Sequence, residues 1–313
     1  MTARVLISGS IAYDTIMVFE GRFADHILPE RVHMLNVSFL TPRLKREFGG
    51  CAANIAFNLR GLGGEPVVLA TVGQDAGEYL ARLDALGIST THVMRLDTHY
   101  TSQCFITTDL ADNQITAFHP GAMSESHRVS ALDAAPAVLA IIAPNGKQAM
   151  LRHAAQFRDA GVPFVFDPGQ GLPMFDSSEL RALVASARAV AVNDYESQVL
   201  AQRTGWSESE IAAQVPAFIV TRGGEGSRVW EAGKPSDIAA CPIARAVDPT
   251  GCGDAYRAGL LYGVANGWDW VKAARLGSVM GAIKIESQGA QNHRLERESI
   301  AERFAAAYGE RPW

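Results

Sequence analysis

Residues 137–221 decide the fold. AVLAII (Ala137–Ile142), PFVF (Pro163–Phe166), AVAV (Ala189–Val192) and AFIVT (Ala217–Thr221) are short apolar runs, each the length of one buried strand. Between them Ala149–Asp159, Ser178–Ala187 and Glu196–Gln202 read as helices by their apolar period. Strands that are apolar on both faces and alternate with helices predict a parallel sheet covered on both sides, a doubly wound α/β fold.

The same rhythm extends outward. Arg4–Ser8 is an apolar strand that ends at the Gly9-Ser10 turn, Gly50–Gly61 a helix, Val67–Thr71 a strand and Glu78–Leu86 a helix. Three helices, Ala255–Ala265, Val271–Ile285 and Glu296–Ala307, fill the last third. Two stretches break the rhythm. Asp14 to about Arg46 is mixed, with aromatics and alternating segments. Thr98–Phe118 alternates like two antiparallel strands joined at Ala111-Asp112-Asn113. The expectation is one domain over 1–313 with a small β-sheet lid built from about 14–47 and 98–120. The other reading makes these ordinary edge strands.

Composition narrows the function classes. The 313 residues are 48% hydrophobic and 19% charged, with a net charge of -5 and no basic cluster. A nucleic-acid partner is disfavoured, since phosphate neutralisation supplies much of such affinity. Cys51, Cys104, Cys241 and Cys252 form no CxxC pair and no metal-ligand spacing, so reduced thiols in a cytoplasmic enzyme are expected. No run of about 20 apolar residues occurs to span a membrane.

The most informative chemistry lies in Asp248-Pro249-Thr250-Gly251-Cys252-Gly253-Asp254-Ala255-Tyr256. Two glycines before a helix let backbone N–H groups approach an anion, and the helix start adds unpaired donors and partial positive charge. That arrangement suits a phosphoryl group in transfer, whose transition state is stabilised by positioning and electrostatics. Asp254 can accept the proton of an attacking hydroxyl; read in isolation, it is only a helix cap. Neither a Walker Gly-x4-Gly-Lys-Ser/Thr nor a Gly-x-Gly-x-x-Gly after the first strand is present, which disfavours P-loop enzymes and dehydrogenases.

Thr250-Gly251-Cys252-Gly253-Asp254-Ala255-Tyr256 resembles the C-terminal signature of the ribokinase (pfkB-type) family of sugar and nucleoside kinases. The family usually has Ala at Cys252 and Phe at Tyr256. The resemblance implies that Asp254 is the catalytic base and that the backbone of Gly251, Cys252 and Gly253 forms the anion hole. Gly49-Gly50, Asn54, Ala56 and Leu62-Gly63 look like its N-terminal signature. By the same resemblance Asp14, Gly49, Gly50 and Asn54 hold sugar hydroxyls, which a carboxylate can accept in pairs. Asn193-Asp194-Tyr195-Glu196 looks like the Asn-x-x-Glu motif that organises magnesium, with Glu196 acting through water. Thr221, Gly223 and Gly226 match the nucleotide loop, so that Asn193, Glu196, Gly251 and Gly253 join them around ATP. Asp248, Thr250, Ser287 and Gly289 fall where many relatives hold a potassium ion.

Within the family, the chain is most similar to bacterial adenosine kinases, in Gly9-Ser10-Ile11-Ala12-x-Asp14, Gly21-Arg22-Phe23, Leu28-Pro29-Glu30, Ser38-Phe39-Leu40, Phe118-His119-Pro120-Gly121 and Thr204-Gly205-Trp206-Ser207. The resemblance gives Ser10 and Phe118 to the purine and Gln170 to the nucleoside. It departs at Cys104, where relatives carry a second lid phenylalanine, and at Gly171 and Met174, where they carry glutamine and arginine. The implied reaction is transfer from ATP to the 5'-hydroxyl of adenosine, giving ADP and AMP, in a homodimer paired through lids. Ribose, inosine or guanosine are the alternative acceptors. A nucleoside-binding sensor is the alternative of another class, disfavoured by an intact Gly-x-Gly-Asp.

Overall fold

The computed structural model describes residues 3–27, 36–111 and 113–313. The motif Leu28-Pro29-Glu30 and Asp112 of the expected hairpin turn lie outside these residues.

Nine strands form the main sheet: β1 Arg4–Ser8, β4 Glu65–Gly73, β5 Val93–Leu96, β8 Leu139–Ile142, β9 Phe164–Phe166, β10 Ala189–Asn193, β11 Ala217–Thr221, β12 Ser227–Glu231 and β13 Lys234–Ile238. Their spatial order is β13-β12-β11-β10-β9-β8-β1-β4-β5. From β11 to β5 every pairing is parallel, and β8, β1 and the first four residues of β10 and β11 are almost wholly buried. Apolar side chains on both faces leave these strands stable only between two helical layers. The order reverses between β1 and β8, which opens a crevice at the carboxyl ends of the strands, where doubly wound sheets bind ligands.

β12 and β13 extend the sheet antiparallel, through a tight turn with φ of 48° at Ala232 and 76° at Gly233. The sequence reading passed over them. Their Arg228, Glu231, Lys234 and Asp237 break the apolar signal: β13 is the edge strand, where charges discourage further pairing, and β12 beside it forms ion pairs with it through Arg228 and Asp237. It also passed over the short helix α6 Glu208–Gln214, which Ser207 and Glu210 open with reciprocal capping bonds.

The other helices are α1 Cys51–Gly61, α2 Gly77–Ala85, α3 Lys147–Asp159, α4 Ser177–Ser186, α5 Asp194–Thr204, α7 Cys252–Ala265, α8 Trp270–Ile285 and α9 Arg297–Tyr308. Most expected boundaries hold within two or three residues. α7 and α8 pack backbone to backbone: a Cβ on Gly259 would sit 2.7 Å from the amide nitrogen of Gly277.

The two alternating stretches meet in a second sheet of four strands, β3 Arg43–Gly49, β2 Ala12–Val18, β6 Ser102–Thr108 and β7 Gln114–His119, in that order. β2 leaves the carboxyl end of β1 after three residues, so this sheet rises beside the crevice. β2 pairs antiparallel with β3 and parallel with β6. The β6–β7 hairpin is held by the Asp109 carboxylate, which accepts from the N–H groups of Phe23, Ala111 and Asn113. These bonds outweigh the cost of burial and hold Asp109 down at about 2.

Candidate active site

The turn ahead of α7 has the geometry its glycines imply. Gly251 caps the helix at φ 79°, a left-handed conformation open to glycine. Among the described residues the N–H groups of Gly251, Gly253 and Asp254 make no backbone hydrogen bond, while Cys252 N–H donates to the Pro249 carbonyl at 3.1 Å. Cys252 N–H is spent on closing the turn, and Asp254 N–H takes its place among the free donors at the helix start. A Cβ on Gly253 would meet open space, as expected of a backbone that faces a ligand. The departure at Tyr256 is accommodated locally: its buried hydroxyl pairs with the buried Ser227 hydroxyl at 2.8 Å.

Asp254 sits at the floor of the crevice. Asn54, one turn into α1, donates through its amide nitrogen to Asp254 Oδ2 at 2.8 Å. Gln291 holds Asn54 in turn, donating to its Oδ1 at 2.9 Å and to the Tyr79 hydroxyl at 2.8 Å. Tyr79 then donates to the carbonyl of Gly49. Asn54 therefore serves Asp254 directly, with both ends of its amide engaged by protein. Burial, with Asp167 adding like charge, pushes the Asp254 carboxyl up to about 7, against the Asn54 bond that lowers it. A carboxylate of that basicity suits proton removal near neutral pH.

Behind Asp254 lies a buried ion pair. Arg257, one turn further along α7, donates through Nε to Asp167 Oδ2 at 3.1 Å, and both side chains are buried. Burial raises the Asp167 carboxyl although Arg257 opposes it. The sequence reading named neither as a site residue.

The second sheet brings the sugar candidates into register. Glu47, Asp14, Cys104 and Phe118 are mutual partners across β3, β2, β6 and β7, so they share one face. The Asp14 carboxylate accepts no hydrogen bond among the described residues. Burial first, then the neighbouring Glu47 and Asp248 charges, push it up to about 6. A desolvated carboxylate without donors is prepared for hydroxyl donors. A Cβ at Gly49 would collide with this carboxylate, and one at Gly50, where φ is 90°, would strike the backbone of Ser10 and Ala12. Phe118 is 51% exposed, with its ring open to a partner. Ser10 is buried, and its Oγ accepts from Cys51 N at 3.1 Å at the start of α1.

The nucleotide candidates lie at the carboxyl ends of β10 and β11. Asn193 and Glu196 form a reciprocal capping box: Asn193 N–H donates to Glu196 Oε2 at 2.8 Å, and Glu196 N–H donates to Asn193 Oδ1 at 2.7 Å. Thr221 ends β11, and Gly223 and Gly226 adopt φ of 52° and 87° in the turn that follows. Gln170 stands exposed in the 3-10 turn Gly169–Met174 after β9. Met174 lies beside Gly171, where a Cβ would meet its methyl at 2.9 Å.

The donor set fits magnesium but not potassium. No group of three or more His, Cys, Asp or Glu side chains forms a metal cage among the described residues. One Glu196 oxygen remains outside the capping box, matching an ion that keeps its waters and touches few carboxylates. Of the positions given to potassium, Asp248 and Ser287 already serve protein donors. Asp248 Oδ1 accepts from Thr250 N–H at 2.9 Å, and Asp248 Oδ2 accepts from Gln288 Nε2 at 2.9 Å and Gly289 N–H at 2.8 Å. The carbonyls of Asp248 and Ser287 accept from the ammonium of Lys284, a residue the sequence reading left inside a helix.

A buried carboxylate at a helix start, free N–H donors beside it and a glycine turn after β11 are the features an ATP-dependent phosphotransferase acting on a hydroxyl group requires. The chain belongs to the pfkB family of carbohydrate kinases, whose model matches residues 12–297. The nucleoside kinase of Burkholderia thailandensis, in its complex with inosine, is 51% identical with a TM-score of 0.89, covering 98% of this chain and 99% of that one. The nucleoside kinase of Methanocaldococcus jannaschii is 27% identical over 271 residues, 86% of this chain and 89% of the relative. The ribokinase of Thermotoga maritima, at 19% identity and a TM-score of 0.81, shares the fold. Among the described residues no helix is long and apolar enough to cross a membrane.

Proposed function

We propose that the chain is a purine nucleoside kinase that transfers the γ-phosphoryl group of ATP to the 5'-hydroxyl of adenosine or a close relative. The observation that carries this reading is the row Asp14–Cys104–Phe118 on one face of the second sheet. Two strand spacings, about 10 Å, separate a carboxylate suited to vicinal ribose hydroxyls from an exposed aromatic ring suited to a base. A plain sugar leaves Phe118 without a partner.

In this reading Asp254 takes the proton of the attacking hydroxyl, and the Gly251, Gly253 and Asp254 N–H groups receive the transferring phosphoryl. Asn54 aims Asp254, while Asp14, Gly49 and Gly50 seat the ribose. Magnesium bound with ATP, held through water by Glu196 beside Asn193, would neutralise phosphate charge. Thr221, Gly223 and Gly226 flank the nucleotide. The second sheet acts as a lid that keeps water from competing with the acceptor. Its other face exposes Leu44, Phe105 and Ile115, which supports pairing of two lids in a homodimer. The protein would work in the cytoplasm.

Inosine is the second reading. It is favoured by the inosine complex of the Burkholderia relative, and Gly171 and Met174, which replace two polar side chains that reach the nucleoside in adenosine kinases, leave adenine without those partners. The test is ADP release from Mg-ATP with adenosine, inosine, guanosine and ribose in parallel. Turnover with a purine nucleoside well above that with ribose is expected. Turnover with ribose alone would overturn the nucleoside assignment, and saturable nucleoside binding without turnover would indicate a sensor.

A further inference from the structure

Lys284 lies in the last turn of α8 and its side chain is fully buried. Its Nζ donates to the carbonyl of Asp248 at 2.7 Å and to the carbonyl of Ser287 at 3.0 Å. Both named partners are backbone oxygens. The nearby Asp248 carboxylate is satisfied instead by the N–H donors of Thr250, Gln288 and Gly289. Removing an ammonium from water is costly unless other oxygens replace its hydration shell. The Ser287 carbonyl, just past the C-terminal end of α8 where a helix carries partial negative charge, and the Asp248 loop carbonyl supply that replacement. Inward-facing carbonyl oxygens are also what binds a dehydrated monovalent cation.

The two carbonyls belong to the two segments that build the catalytic floor. Asp248 begins the anion-binding turn, whose backbone is tied to α8 by Val247 and Asp248 N–H groups donating to the Ile285 carbonyl. Ser287 begins the loop that carries Gly289, bound to Asp248, and Gln291, bound to Asn54. One ammonium thus joins the donors for the phosphoryl group to the chain Gln291–Asn54–Asp254. It also fixes a positive charge beneath the turn that receives a phosphoryl group, where such charge assists transfer.

We infer that Lys284 is a positioning residue that supplies, as a tethered ammonium, the monovalent cation of this turn, so that phosphoryl transfer runs without added potassium. The inference rests on the kinase reading above, and its test is chosen so that the two can fail separately. The full-length protein is assayed with Mg-ATP and its best nucleoside at constant ionic strength in potassium, sodium or tetramethylammonium chloride. Melting temperatures of the ligand-free protein are measured in the same salts. Wild-type turnover is expected to vary by no more than about twofold between salts, and its melting temperature to be insensitive to the choice of ion. Lys284→Ala is expected to lose about 10-fold to 100-fold in kcat with little change in nucleoside KM. Potassium or methylammonium, which can enter the vacated position, should restore part of kcat and raise its melting temperature; tetramethylammonium should do neither. The melting readout stands even if no nucleoside is turned over. A wild type activated more than about 10-fold by potassium overturns the inference, as does a folded Lys284→Ala protein with wild-type turnover in tetramethylammonium.

Discussion

Replacing Asp254 with Asn separates catalysis from stability in opposite directions. The substitution keeps size and an acceptor for the Asn54 amide but removes the base. Turnover should fall at least about 100-fold, the low end of what a positioned base contributes. Stability should move the other way. The folded state raises the Asp254 carboxyl from its ordinary 3.8 to about 7, chiefly by burial. Between these values the unfolded chain has lost the proton and the folded chain still holds it. This group therefore weakens folding progressively as pH rises from about 4 to about 7, and by its full amount above that. The interval corresponds to at most about 4 kcal/mol, and relaxation of a partly open site reduces it to about 1–2 kcal/mol. Asn cannot ionise, so Asp254→Asn should match wild type near pH 4 and be the more stable protein at pH 8. The assays are ADP release under saturating substrates and urea unfolding at both pH values. Wild-type kcat/KM should rise with pH through about 7 and then level off. A variant with near wild-type turnover, or one less stable than wild type at pH 8, would refute the reasoning.

Asp14→Asn should raise nucleoside KM about 10-fold to 100-fold with a smaller change in kcat, because charged hydroxyl contacts are lost from ground and transition states alike. In the wild type that KM should fall as pH rises through about 6, where the Asp14 carboxyl ionises; a pH-independent KM would remove its role. Gln291→Leu should leave Asn54 without its donor and lower kcat about 10-fold, a change read by steady-state kinetics at fixed substrate occupancy. Tyr256→Phe should cost about 1 kcal/mol in urea unfolding by orphaning the buried Ser227 hydroxyl, while kcat stays unchanged; a large fall in kcat would place the hydroxyl in the chemistry.

Much of this molecule is readable from residue order. β8 to β11 are short apolar runs because a parallel strand buries both faces, and that demand is written locally in each strand. The glycines around Asp254 and the pair Gly49-Gly50 are readable for a similar reason. Each answers a local need for a left-handed turn or a missing Cβ, which residue type alone reveals. The edge strand β13 and its neighbour β12 were less readable, since their charges serve the sheet edge rather than a core.

Tertiary structure alone decided the contacts between distant segments. Lys284 reads as one more residue of a helix, and only the fold brings its ammonium to the carbonyls of Asp248 and Ser287. Gln291 reaches Asn54 across 237 positions, and Arg257 reaches Asp167 across 90. Such partners leave no period and no spacing, because hydrogen bonds and buried charges depend on distance in space, which chain order does not encode. Local order determined the sheet and the glycine turn at the start of α7; packing determined which donors meet Asp254 and where the Lys284 ammonium lies.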